Sequence, residues 1–171
     1  MRKSFYIVLC LAFIFCAIPI ICAQSDEVEL NQAELLKQFI GTWYGEVGED
    51  TVVILNIVFK DGALDVTREV RIKEEVVNSF HGMYGFSQDK KTIIFAGVYE
   101  DGSMAFDYGQ FISEKKYVAE MYLDNTTHPV ALEETEFQSP GSFTIRSKWR
   151  GGKMTWDVDW SPTWTFNKAE I

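Results

Sequence analysis

The chain has 171 residues, of which 47% are hydrophobic and 15% aromatic, and it carries a formal charge of −9. That acidity disfavours nucleic acid and anionic membrane surfaces as partners, since both repel a negative protein. Its three cysteines, Cys10, Cys16 and Cys22, all precede Ala23, so the chain beyond them has no disulfide, no thiolate chemistry and no Cys-ligated metal.

The first element is a leader. Arg2 and Lys3 precede an almost wholly apolar run over 5–22, and Ala23 is followed by Gln24, Ser25, Asp26 and Glu27. This order predicts a secretory signal peptide over 1–23. An uncleaved anchor is the alternative, since about 18 apolar residues also approach a membrane span. Cleavage would leave 24–171 as one secreted or periplasmic domain, with no stable membrane insertion, and would move the formal charge to −11.

The segment 29–40 predicts a short helix, with Ala33, Leu36, Phe39 and Ile40 near one stripe. Gly41 stops it. From Thr42 onward every pattern is β. TVVILNIVFK over 51–60 is rich in β-branched residues and meets Asp61-Gly62, a hairpin signal. Over 63–72, Leu64, Val66, Val70 and Ile72 share a face opposite Asp65, Thr67, Glu69 and Arg71. Further strands are predicted over 76–86, with Gly82 and Gly85 as bends, and over 92–99, which ends at a second Asp-Gly turn at 101–102. Met104, Phe106, Tyr108 and Ile112 then alternate with Asp107 and Gly109, and Tyr117, Ala119, Met121 and Leu123 alternate with Glu120. After a loop over 124–129, strands follow over 130–137, 143–150, 154–160 and 164–167, divided by Ser139-Pro140-Gly141 and Gly151-Gly152.

Nine or ten short strands joined by tight turns must pair as antiparallel neighbours. A meander with one apolar face closes on itself, because closure removes both edges. The expected fold is therefore all-β: an up-and-down antiparallel barrel of 8–10 strands with a short N-terminal helix. A two-sheet sandwich is the competing arrangement.

Gly41-Thr42-Trp43, placed between the helix and the first strand, resembles the Gly-x-Trp signature of the calycin superfamily. Phe39-Ile40-Gly41-Thr42-Trp43 is similar to the start of fatty-acid-binding proteins. The extended Gly41-x-Trp43-x-Gly45 resembles secreted bacterial lipocalin-like domains and the haem-binding nitrobindins. The resemblance implies a barrel whose interior holds side chains or one small ligand, with Trp43 packed at the closed end under the helix. It also implies a late-strand arginine over that Trp, for which Arg146 and Arg150 are the candidates. The departures are specific. Gly48-Glu49-Asp50 leaves room only for a turn where fatty-acid-binding proteins insert a helical lid. The last strand lacks their Arg-x-Tyr pair, and no His follows His128 to ligate haem.

Arg68 falls on the inward face of its strand. A buried guanidinium needs a partner, either an internal salt bridge or the anionic group of a ligand. Phe80, Tyr84, Tyr99, Tyr108, Tyr117, Trp149 and Trp156 are candidate cavity-lining rings, and core packing accounts for them equally well. His81 and His128 stand apart and form no metal-ligand spacing. Asp157 and Asp159, like Glu133, Glu134 and Glu136, are expected to face water. Asn125-Thr126-Thr127 fits a glycosylation acceptor. No phosphate loop, nucleophile elbow or zinc-protease motif is present, and neither cofactor nor metal is expected. The leading expectation is a non-catalytic binding protein for a small apolar or amphipathic molecule. A lipid isomerase or cyclase working through His81 or Arg68, and a filled barrel acting through its surface, are the alternatives.

Overall fold

The computed structural model describes residues 29–124, 126–150 and 160–169. Helix α1 (Gln32–Leu36) runs into a 3₁₀ turn (Lys37–Phe39) and then into ten strands. These are β1 (Gly41–Gly48), β2 (Thr51–Lys60), β3 (Ala63–Ile72), β4 (Glu75–Ser87), β5 (Thr92–Tyr99), β6 (Met104–Ser113), β7 (Lys116–Leu123), β8 (Ala131–Ser139), β9 (Ser142–Trp149) and β10 (Trp164–Lys168). Each strand pairs antiparallel with its sequence neighbours, and β1 pairs with β10, which closes the barrel. The expected barrel is therefore present, and the sandwich is not. Of the predicted strand over 154–160, residues 154–159, with Trp156, Asp157 and Asp159, lie outside the described residues, as do the leader and Asn125. None of the described helices is long and apolar enough to cross a membrane.

The hairpins obey their turn chemistry. Asp61 and Gly62 both adopt positive φ, at 51° and 88°, the conformation a two-residue turn between twisted strands requires. At the other end, Gly102 has φ 85° and Asp101 accepts from the Ser103 N–H at 2.9 Å.

The helix is shorter than the sequence pattern suggested, because the chain must turn early to drive Phe39 into the barrel. Asn31 caps it by accepting from the Glu34 N–H at 3.2 Å. Gln32 then fixes it to β6, donating to the Phe111 carbonyl at 3.0 Å and accepting from the Phe111 N–H at 2.7 Å. Phe111 lies beyond Gly109, the last β6 residue in register with β5, so the helix takes up backbone groups at a point that β5 does not cover. Phe39 becomes the centre of an aromatic plug, packed on Tyr84, Phe111, Tyr117, Phe137 and Phe143 at centroid distances of 5.0–6.2 Å.

Trp43 is fully buried beneath this plug, as the Gly-x-Trp motif implies, and its indole N–H donates to the Phe39 carbonyl at 2.7 Å. The cation over its ring is Lys168 of the last strand, at 5.2 Å, rather than an arginine. Arg146 faces outward, where it binds Glu134 and stacks over Trp160 at 4.4 Å. Gly41 permits the lysine arrangement: its φ is 146°, and a Cβ there would strike the Lys168 stem.

One strand differs in register from the sequence reading. In β6 it is Ala105, Asp107, Gly109 and Phe111 that face inward, and Met104, Phe106, Tyr108 and Ile112 that face out. Both faces of this strand are apolar, so alternation alone did not orient it. Phe106 and Tyr108 lie outside because the inner face must be small beside them: a Cβ on Gly109 would collide with the Tyr117 hydroxyl.

Candidate functional site: the barrel interior

The plug closes the end of the barrel at which β1 begins. Toward the opposite end the interior opens into a cavity of about 280 Å³. Its walls are mostly apolar, with Val53, Val66, Val70, Phe95, Ile145 and Phe166 among them. A volume near 300 Å³ lies at the small end of the range for ligand sites.

Into this apolar space project three charged side chains from three separate strands: Arg68 of β3, Asp107 of β6 and Glu133 of β8. Inward direction follows from parity. Arg68 lies between Val66 and Val70, Asp107 between Ala105 and Gly109, and Glu133 between Ala131 and Thr135. Arg68 lies over the rings of Phe80, at 5.1 Å, and Tyr99, at 5.4 Å, and donates from Nη2 to the Asn78 side-chain oxygen at 3.2 Å. That partner is neutral. Among the described residues Arg68 makes no ion pair, and its buried Nε has no hydrogen-bond partner. The buried Asp107 Oδ1 and Tyr117 hydroxyl are likewise unpartnered. Buried polar atoms without partners are rare in folded proteins and point to a missing water, ion or ligand.

The low-dielectric surroundings act on these groups in one direction. Burial holds the Asp107 carboxyl well above its usual range, and the neighbouring Glu133 adds to the effect. Burial pushes Glu133 up to about 7, against the pull of Arg68. Tyr84 and Tyr117 are raised by burial and by the nearby charges, so their hydroxyls stay protonated.

Of the ring residues singled out in the sequence, Phe80, Tyr84 and Tyr99 line the cavity together with Arg68. Tyr117 belongs to the plug. Tyr108 is on the outer face, 41% exposed and edge-on to Tyr122, because of the β6 register. Trp149 sits across from Ala131 at the open rim and is 47% exposed. His81 is outside the barrel, bonded to Asp65 at 2.6 Å, and His128 is exposed in the rim loop. The isomerase alternative thus loses His81 and keeps Arg68. Among the described residues no cluster of His, Cys, Asp or Glu could hold a metal ion.

Glu133 was expected to face water with Glu134 and Glu136, and the structure corrects this. Glu134 does face outward, where burial opposes its ionisation but bonds from Arg146 and Lys116 outweigh it and keep its carboxyl below the usual value. Glu133 is the adjacent residue and so must face in. Asp107 and Glu133 are the functional candidates that sequence reasoning missed. The signal for Glu133 was available in the two-residue step back from Phe137 through Thr135.

No protein-family model matches the chain, and no curated protein matches it. The closed ten-stranded barrel with a helix at one end is compatible with the calycin-like architecture.

Proposed function

We propose that the protein is a secreted or periplasmic, lipocalin-like binding protein that holds a small apolar or amphipathic molecule inside its barrel without catalysis. The observation that carries this reading is the cavity itself: apolar walls around the buried Arg68 Nε and Asp107 Oδ1, which have no hydrogen-bond partner among the described residues. The polarity of the barrel supports it. Apolar side chains point in, while Asp65, Glu69, Arg71, Glu120, Glu134 and Arg146 point out along the strands, the reverse of a membrane-spanning barrel. The test is native mass spectrometry of the purified protein, with organic extraction of what it carries. One apolar or amphipathic molecule per chain supports the reading. An empty protein that also takes up neither a neutral nor a charged decyl probe refutes it.

A second reading has its own observation. Glu133, held near neutrality inside an apolar pocket, is suited to proton transfer. It predicts that an identified ligand is recovered isomerised, and that Glu133→Gln abolishes the change while preserving binding.

A further inference from the structure

Arg68 is permanently charged, and its nearest polar partner is a neutral amide. Its potential counter-ions, Asp107 and Glu133, face the same cavity, and among the described residues neither forms an ion pair with it. A gap therefore separates one fixed cation from two titratable carboxyls. All three face the cavity, and its interior cannot keep an uncompensated charge at low cost. Without ligand, compensation must come from a carboxylate across the gap.

We propose that Arg68 is the anchor for the carboxylate head of an amphipathic ligand, and that this anion displaces Glu133 as the counter-charge, so that ligand and one proton enter together. The balance is simple. The ligand arrives as R–COO⁻, Glu133 passes from –COO⁻ to –COOH with one proton from solvent, and the cavity keeps the same net charge. Every other titratable group facing Glu133 has a defined part. Asp107, across the cavity on β6, has its carboxyl pushed well above the usual range by burial and by the like charge of Glu133, which favours its neutral form. Tyr84 of β4 and Tyr117 of β7 remain neutral donors. Tyr99 of β5 lies under the guanidinium. On the strands flanking Glu133, its register partners are Ala119 and Ser147, which do not ionise. The alkyl part of the ligand then lies along Val53, Val70 and Ile145.

The rim works against the anion. Glu49, Asp50, Glu74, Glu100, Asp101 and Asp124 all lie in or beside the turns at the open end, and among the described residues there Lys73 and Arg150 offset only part of that charge. An anionic ligand therefore associates faster as salt screens the rim, whereas a cationic one would slow.

This proposal rests on the cavity reading, and one titration separates the two. Decanoate, decanol and decylamine are titrated into the protein by calorimetry at about pH 6 and about pH 8, each in two buffers of different ionisation enthalpy. Expected at about pH 8 is decanoate binding with net uptake of close to one proton, and affinity falling about tenfold per pH unit above about pH 7. Glu133→Gln should bind decanoate at about pH 8 as tightly as the wild type does at about pH 6, with no proton taken up. Arg68→Met should lose the preference for decanoate over decanol. Binding of decanol or decylamine as tightly as decanoate, or decanoate binding with no proton uptake or with release, overturns the proposal and leaves the cavity reading standing. Binding of none of the three overturns both. Because the proton count is read on the wild type, a variant that fails to fold does not remove the test.

Discussion

Trp43 donates its indole N–H to the Phe39 carbonyl, four residues upstream, at 2.7 Å. This bond ties the aromatic plug to the first strand at the point where the chain leaves the 3₁₀ turn. Trp43→Phe should keep the ring against Phe143, its neighbour at 4.6 Å, but strand the carbonyl and leave a void. The expected loss is about 1–3 kcal/mol, and Trp43→Ala about 3–5 kcal/mol. Chemical denaturation with far-UV circular dichroism measures both. A Trp43→Phe variant as stable as the parent would show that the bond contributes nothing.

The same end of the barrel makes a second prediction through Gly41. Its φ of 146° disfavours any side chain, and a Cβ would displace the Lys168 stem from the Trp43 ring. Gly41→Ala should therefore destabilise by more than Lys168→Met, which loses only the cation–π contact, worth about 0.5–1 kcal/mol. Thermal melts of the two variants give the order directly.

Inside the barrel, Gly109 gives up its side chain to make room for Tyr117. Gly109→Ala should overpack the plug and cost about 1–3 kcal/mol. Gly62→Ala is the comparison: nothing lies near its Cβ position, so its cost comes from positive φ alone and falls nearer 1 kcal/mol. In the double variant Gly109→Ala/Tyr117→Phe, removing the hydroxyl should recover part of the loss, as read by denaturation.

These positions show what was legible in the chain. The barrel was, because Asp61-Gly62 and Asp101-Gly102 announce hairpins and because Gly41-Thr42-Trp43 announces where the first strand begins. Arg68 was, because β3 separates its faces cleanly: Asp65, Thr67, Glu69 and Arg71 on one, apolar residues on the other. Asp107 was not. Its strand carries Phe106, Tyr108 and Ile112 on one side and Phe111 with two small residues on the other, so hydrophobicity alone chose the wrong side. What decides the matter is the volume of Tyr117, which lies on the neighbouring strand and whose hydroxyl reaches diagonally to Gly109, where only a glycine leaves room. Glu133 was hidden by composition: in Leu132-Glu133-Glu134-Thr135-Glu136 three acids crowd one strand, and only parity distinguishes the one that faces the cavity.

The raised Glu133 carboxyl has a consequence for stability. The folded protein holds this proton up to about pH 7, whereas the unfolded chain releases it near the ordinary glutamate value. Between those limits the native state binds more protons, so stability falls as pH rises from about 4.5 to about 7. Asp107 acts with the same sign. Replacing Glu133 by Gln should remove its share of the slope, on the order of 1–3 kcal/mol between about pH 4.5 and about pH 8. Parallel stability–pH curves for wild type and Glu133→Gln would show that the carboxyl ionises normally.

The central claim is that the barrel interior is a ligand site, and blocking it is the most direct measurement. Ala105 lines the cavity and is buried on the inner face of β6, and Val70 lines it from β3. Ala105→Trp and Val70→Trp should each fill the space while leaving the outer surface untouched. Decanoate binding is titrated against both variants after their fold is verified by circular dichroism. Expected are saturable one-to-one binding in the wild type and a loss of at least tenfold in affinity in each folded variant. Unchanged affinity in a folded, filled barrel would place the ligand elsewhere and contradict that claim.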